Sequence, residues 1–368
     1  MLASAWSSAR IRRYSELSAA RLSDFPGAAG VRPGSLREAG LALACDEPRP
    51  LLERRLVIVT GKGGTGKTTV VAALAVAAAR AGRRVLVAET ARDEQVSRLL
   101  APGGPPAGHA GRTLRPGIQA LRIDPFEALA EYLTLQIRAR PLVDLVLGNR
   151  GFRQLMGASP GWRELITLGK IWHLEQIRGP DGPLYDLIVV DAPATGHGLT
   201  FLDVPRVVVS AVRAGPLRRH SAYVEAMLED PERTLLLPVA LAEELPARET
   251  AELVSRLRGA LRIAVDRVVV NAVAQPPFPV GLEDLDERLA HLPPDLALGA
   301  LPSVPELAEC ARHLRARYEL NEAYAALIGR LTGLPSVRLP YLQEGADSPQ
   351  AIESLAGPLL APPRREAA

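Results

Sequence analysis

The chain has 368 residues, 47% apolar and 23% charged, enough for one large α/β domain with a substantial core. A net charge of +3 is small for a nucleic-acid footprint, and no apolar run reaches membrane-spanning length. Two cysteines, Cys45 and Cys310, in no C-x-x-C pair, exclude a disulfide framework, a zinc site built on cysteines and an iron–sulfur site supplied by one chain. The composition fits a cytoplasmic protein.

Residues 1–50 are rich in Ser, Ala, Arg, Gly and Pro and carry no sustained apolar period. Seven arginines against five acids give them about +2 of the net charge. With no long apolar core for a secretory signal, they read as an atypical, disordered extension. Order is expected from Leu51. Leu56-Val57-Ile58-Val59-Thr60 is the short apolar run of a buried parallel strand. A glycine loop follows, then a helix over 68–81 closed by Gly82, and a second strand over 85–88. Residues 101–117, rich in Pro and Gly, read as a loop. Residues 125–179 hold no strand-like run and read as a helical insertion, with one helix over 162–177. Further buried strands are expected at 187–190, 207–209, 235–237 and 268–270, with a helix over 248–261. This alternation predicts an α/β fold, a mostly parallel sheet with helices on both faces. The working domain is expected over 51–345, and 346–368 as a frayed C-terminal tail.

Gly61-Lys62-Gly63-Gly64-Thr65-Gly66-Lys67-Thr68 fits G-x-x-x-x-G-K-[ST] between a strand and a helix. Glycines let successive N–H groups turn inward around a phosphate, and the helix start adds its dipole. Lys67 is expected to reach the β/γ oxygens of ATP and the Thr68 hydroxyl to ligate Mg²⁺, with Thr69 next in the loop. Asp191, at the end of the 187–190 strand, is the carboxylate expected to hold the Mg²⁺ water shell. Only Lys62, Lys67 and Lys170 of the 44 basic residues are lysines. In so arginine-dominated a chain, two lysines in one loop call for compact ammonium charges there. Lys170 has no assigned role.

The string K-G-G-x-G-K-[ST]-[ST], with its extra Lys62, resembles the deviant Walker A loop of the ParA/MinD, nitrogenase iron-protein and arsenite-pump (ArsA) group. Asp191-Ala192-Pro193-Ala194-Thr195-Gly196-His197 resembles switch II of the ArsA family and of its relative, the targeting ATPase for tail-anchored membrane proteins. Ala242-Glu243-Glu244-Leu245-Pro246 with Glu249-Thr250, the strand ending at Asn271, and Pro160-Gly161-Trp162-Arg163-Glu164 are also similar, so the resemblance covers about 55–345. It implies a P-loop ATPase that makes ADP and phosphate with Mg²⁺ as a face-to-face homodimer or heterodimer. Lys62 would then cross to the partner's nucleotide, as an arginine finger does. Glu243 would contact nucleotide, Asn271 would read adenine, and Gly196 and His197 would belong to the γ-phosphate switch. His197 reads equally as a hydrogen-bonded structural histidine.

The sequence departs from the family at switch I. There an aspartate before Pro-Ala orients the attacking water, and here Ala88-Glu89-Thr90-Ala91-Arg92-Asp93-Glu94 puts Ala91 at that place. Asp93 is the catalytic candidate in its stead, with Glu89 as the alternative; each also reads as a loop acid, and Asp93 as the N-cap of a helix over 95–100. No cysteine lies between Cys45 and Cys310, which argues against a thiolate arsenite site, and a C-x-x-C zinc clasp is missing. Met156 and Met227 alone do not make a methionine-rich groove. Leu142, Val143, Leu145, Val146 and Phe152 read as core or as an apolar groove. The expectation is an ATPase driving a membrane transporter or a client protein, with no nucleic-acid partner. The alternatives are a nucleotide-gated carrier of hydrophobic clients with weak hydrolysis, or a ParA/MinD-like positioning ATPase. The last is disfavoured by a tail without a basic amphipathic helix.

Overall fold

β1 (Leu56–Thr60), β2 (Val85–Glu89), β3 (Arg112–Arg115) and β4 (Ile118–Arg122) form one half of the sheet in the computed structural model. The structure describes residues 50–365 apart from 138–142, 144, 146, 159–160, 181 and 297–301. Residues 1–49, and with them Cys45 and nearly all of the expected extension, lie outside the described residues, as do Leu142, Val146 and Pro160. β5 (Arg178–Gly179) and β6 (Gly182–Pro183) make a small hairpin. β7 (Leu187–Asp191), β8 (Thr234–Leu241), β9 (Val268–Val273) and β10 (Ser336–Pro340) complete the large sheet. Its order is β10-β9-β8-β1-β7-β2-β4-β3, parallel throughout except for the edge hairpin β3–β4.

Central strands are apolar along their whole length because helices cover both faces. Leu56, Ile58, Ile188 and Val190 join one core cluster; Val57, Val59, Leu187 and Val189 join the other. The second cluster is covered by α1 (Lys67–Arg80) and α2 (Gln95–Leu100). On the first side lie α3 (Pro125–Ile137) and α5 (Trp162–Gln176) of the 125–179 segment, which also carries α4 (Arg150–Ala158). α6 (Thr195–Ala211), α7 (Pro216–Glu229) and α8 (Glu244–Arg256) follow, and α5 packs on both α6 and α7. α9 (Leu285–Ala290) packs on the N-terminal part of α10 (Val304–Thr332), and α11 (Pro349–Leu360) returns to α1.

Three readings of the sequence are corrected. Residues 207–209, expected as a strand, lie inside α6, where Val207 is 52% exposed. β-branched residues favour strands only weakly, and here packing of α6 on α5 and α7 overrides that preference. The 101–117 loop contains β3, and Pro116-Gly117 is the turn of a hairpin into β4. The 346–368 tail carries α11, whose Ile352, Leu355 and Leu359 are buried in the second cluster. Its apolar spacing at i, i+3 and i+7 is that of a helix face.

Candidate active site

The loop after β1 is shaped by what lies beneath it. Gly61 passes so close to β8 that a β-carbon there would fall 2.2 Å from the Val239 carbonyl oxygen. Gly66, at φ 84°, is the N-cap of α1 and lies against Asn271 of β9. Asn271 Nδ2 donates to the Thr65 carbonyl at 2.9 Å, and Thr65 Oγ1 donates to the Lys62 carbonyl at 3.0 Å. Around Gly63 and Gly64, by contrast, nothing lies within 4 Å of a built β-carbon. The loop is clamped from below and open above, which is the form of an anion cradle at a helix N-terminus.

Lys67 and Thr68, in the first turn of α1, face the end of β7. Lys67 Nζ donates to the Lys62 carbonyl at 2.9 Å. Thr68 Oγ1 donates to Asp191 Oδ2 at 2.8 Å. Burial holds the Lys67 ammonium below its usual range and pushes the Asp191 carboxyl above its own. Thr90 Oγ1, just after β2, donates to the Asp191 carbonyl at 2.7 Å, tying the switch I segment to the same strand end.

A family model described as an anion-transporting ATPase matches residues 54–221. ATPase BagA of Mycobacterium tuberculosis is 32% identical over 328 residues, covering 82% of this chain and 91% of the relative. The chain belongs to the anion-transporting ATPase family. An arsenical pump-driving ATPase of Escherichia coli is 29% identical over 65% of this chain and 44% of the relative. This family member is an ATPase that binds nucleotide, and the loop after β1 and the end of β7 lie within the matched residues.

The ATPase brings together most of the residues singled out in the sequence. Lys62, Lys67, Thr68, Asp191 and Asn271 converge on one loop, with Thr69 half-buried in α1 behind it. Lys62 reaches outward to Glu249 on α8, 2.5 Å away. Glu243 is exposed and is the N-cap of α8, through backbone alone. Thr195, Gly196 and His197 form the first turn of α6; their side chains lie outside the described residues.

The two switch I acids are placed differently. Asp93 is 76% exposed, 3.8 Å from Arg98, and does not cap α2, whose N-cap is Glu94. Glu89 is buried at the end of β2, in register with Asp191. It accepts from Val96 N–H at 2.8 Å and Ser97 Oγ at 2.9 Å, so its carboxylate caps the α2 backbone. Burial raises its pKa to about 7.

Lys170 also gains a partner. Its side chain is 3% exposed in α5 and is bound to Glu131 of α3, which also meets His109 Nε2 at 3.1 Å. His109 Nδ1 accepts from Asp124 N–H at 3.2 Å. This buried cation joins α5, α3 and the loop before β3. No sequence motif announced it, because its members are 22 to 61 residues apart. Glu249 was visible only as a motif letter; its place six residues after Glu243, in the second turn of α8, was the available signal.

Proposed function

We propose that the protein is a Mg²⁺-dependent cytoplasmic ATPase whose two subunits close face to face on ATP and open after hydrolysis. That cycle drives a membrane transporter or a client protein. The observation that carries this reading is the Thr68–Asp191 hydrogen bond at the mouth of an open glycine cradle. In it a hard hydroxyl and a hard carboxylate already meet beside the phosphate-binding lysine.

The donor set fits Mg²⁺, which takes few protein oxygens and keeps water and phosphate oxygens for the rest. Thr68 and Asp191 would hold it, and when bound it neutralises charge on the β- and γ-phosphates. Backbone N–H groups of 63–67 and the Lys67 ammonium would bind the β/γ oxygens. Asn271 holds the loop in shape through its bond to the Thr65 carbonyl, and its remaining amide oxygen would serve to read adenine. Glu243 is exposed beside the same strand ends. Lys62 would cross to the partner's nucleotide and stabilise charge on the transferring phosphoryl group. Water attacks the γ-phosphorus, the bond to the β–γ bridging oxygen breaks, and ADP leaves with the electron pair while the water's proton passes to phosphate or solvent.

One observation favours weak hydrolysis. Glu89 is engaged with α2 and Asp93 points into solvent beside Arg98, so neither switch I acid is aimed at Asp191. In that second reading the protein is chiefly a nucleotide-gated carrier of hydrophobic clients, homodimeric or paired with a related ATPase. Cys310 is the one cysteine among the described residues and lies exposed on α10, which argues against arsenite held by paired thiolates. No described helix is long and apolar enough to cross a membrane.

The test is Lys67→Ala, measured for ATP binding and phosphate release, with light scattering of the unmodified chain in ADP plus a γ-phosphate mimic. Loss of both activities and a mimic-dependent dimer are expected. Unaltered turnover in the variant would overturn the site, and a monomer under all nucleotides would overturn the facing dimer.

A further inference from the structure

Glu249 belongs to none of the roles described above, yet it holds one end of the shortest ion pair at the nucleotide loop. Its Oε1 lies 2.5 Å from Lys62 Nζ. Its Oε2 is buried and has no hydrogen-bond partner among the described residues. The pair spans 187 positions in sequence. It exists because β8 lies beside β1, which brings α8 next to the loop that follows β1. A carboxylate half-buried on a helix, with one oxygen unsatisfied and the other given wholly to a single lysine, is matched to that lysine rather than to the helix.

We propose that Glu249 is a positioning residue of the ATPase: it retains the Lys62 ammonium within its own subunit until the two subunits close. The proposal rests on the reading that Lys62 acts across the dimer. The Lys62 ammonium lies on its own subunit's α8 while it is paired with Glu249, and reaching out to a polyphosphate on a facing subunit draws it off that helix, so in the proposed closure the first contact is exchanged for the second. The strength of the pair suits this. With side chains 45% and 35% exposed, solvent screens it, and such pairs bias an equilibrium by roughly 1.5- to 5-fold. That holds Lys62 in the free subunit, and a polyphosphate carrying several charges displaces it. Glu249 thereby sets how readily the reactive dimer forms, and Lys62 is released only when a second nucleotide site arrives to take it.

The chain's three lysines make the pair directly readable. The full chain, without nucleotide, is treated with an acetylating N-hydroxysuccinimide ester, and modification at Lys62 is quantified by mass spectrometry against Lys67 as internal reference. Glu249→Gln is expected to raise Lys62 acetylation roughly 1.5- to 5-fold. It is also expected to lower, by a similar factor, the protein concentration at which ADP plus a γ-phosphate mimic gives half dimer. Turnover below that concentration should rise accordingly. Glu249→Asp, which keeps the charge on a shorter stem, should fall between the two, and it replaces Glu249→Gln if melting shows the latter misfolded. Unchanged acetylation with an unchanged dimer midpoint overturns the proposal. If Lys62→Ala abolishes turnover while Glu249→Gln is silent, the retention role alone fails. If Lys62→Ala keeps full turnover, the trans role of Lys62 fails and the proposal with it.

Discussion

The side-chain amide of Asn271 fills the space that a β-carbon on residue 66 would need. A carbon built on Gly66 falls 2.1 Å from Asn271 Nδ2, and that same nitrogen donates to the Thr65 carbonyl at 2.9 Å. Asn271 of β9 and the start of α1 therefore define each other, although β9 lies two strands away from β1 in the sheet.

Asn271→Ala should destabilise the protein by about 1–3 kcal/mol, because a buried carbonyl loses its donor. Gly66→Ala should cost more, adding a clash to a left-handed φ of 84°. The double variant should recover part of that loss, since the clashing amide is gone. Urea unfolding of the four proteins measures the coupling, and strict additivity would show that the two positions do not compete for one space.

Acid should loosen the α3–α5 contact in two stages. Burial and then the nearby Lys170 charge lower the His173 pKa from 6.5 to about 4. The unfolded chain therefore takes up this proton first, and stability falls as pH drops from 6.5 towards 4. Glu131, held to about 2 by His109 and Lys170 against the opposing effect of burial, loses its contribution between 4.5 and 2. Replacing His173 with Phe should flatten the melting temperature between pH 6.5 and 4. An unaltered slope in that window would rule out His173 as its source.

Glu89 acts in the opposite sense. Its folded-state pKa of about 7, against an ordinary 4.5, means the folded protein favours the neutral acid. Stability is lost as pH rises from 4.5 through 7. Glu89→Gln keeps an acceptor for Val96 N–H and removes the titration. In the nucleotide-free, metal-free protein its stability relative to the parent should improve steadily across that window. A difference that does not change with pH would count against the burial of a titrating carboxyl.

Leu355→Ala tests the C-terminal helix. Leu355 is buried where α11 packs on α1, and truncating such a side chain costs about 2–5 kcal/mol. Because α1 carries Lys67 and Thr68, the same variant should weaken ATP binding. A stability within experimental error of the parent would mean that α11 contributes little to the core.

The nucleotide loop was legible in the sequence because its chemistry is local. Phosphate binding demands glycines, a lysine and a hydroxyl within eight consecutive residues. The strands on either side announce themselves by unbroken apolar runs. Asp191 stood out as an acid ending a buried apolar strand and opening the Pro- and Gly-containing stretch that follows, and the structure sets it beside Thr68. The 207–209 run was misread because a three-residue valine stretch carries no period long enough to separate strand from helix. The tail was misread because its helix face, Ile352, Leu355 and Leu359, follows a Pro- and Gly-containing stretch and has meaning only once α1 is there to cover it.

By itself, then, the sequence determined the α/β class, the glycine loop between β1 and α1 and membership of an ATPase family, all of which rest on residues adjacent in the chain. Only the tertiary structure decided the partners. It placed Asn271 under Gly66, Glu249 on Lys62, Glu89 beneath α2, and Glu131 with His109 on Lys170. Strand order sets such pairings. Neighbours in a parallel sheet are joined by long crossovers, so residues that touch at adjacent strand ends stand tens to hundreds of positions apart, beyond the reach of any local pattern.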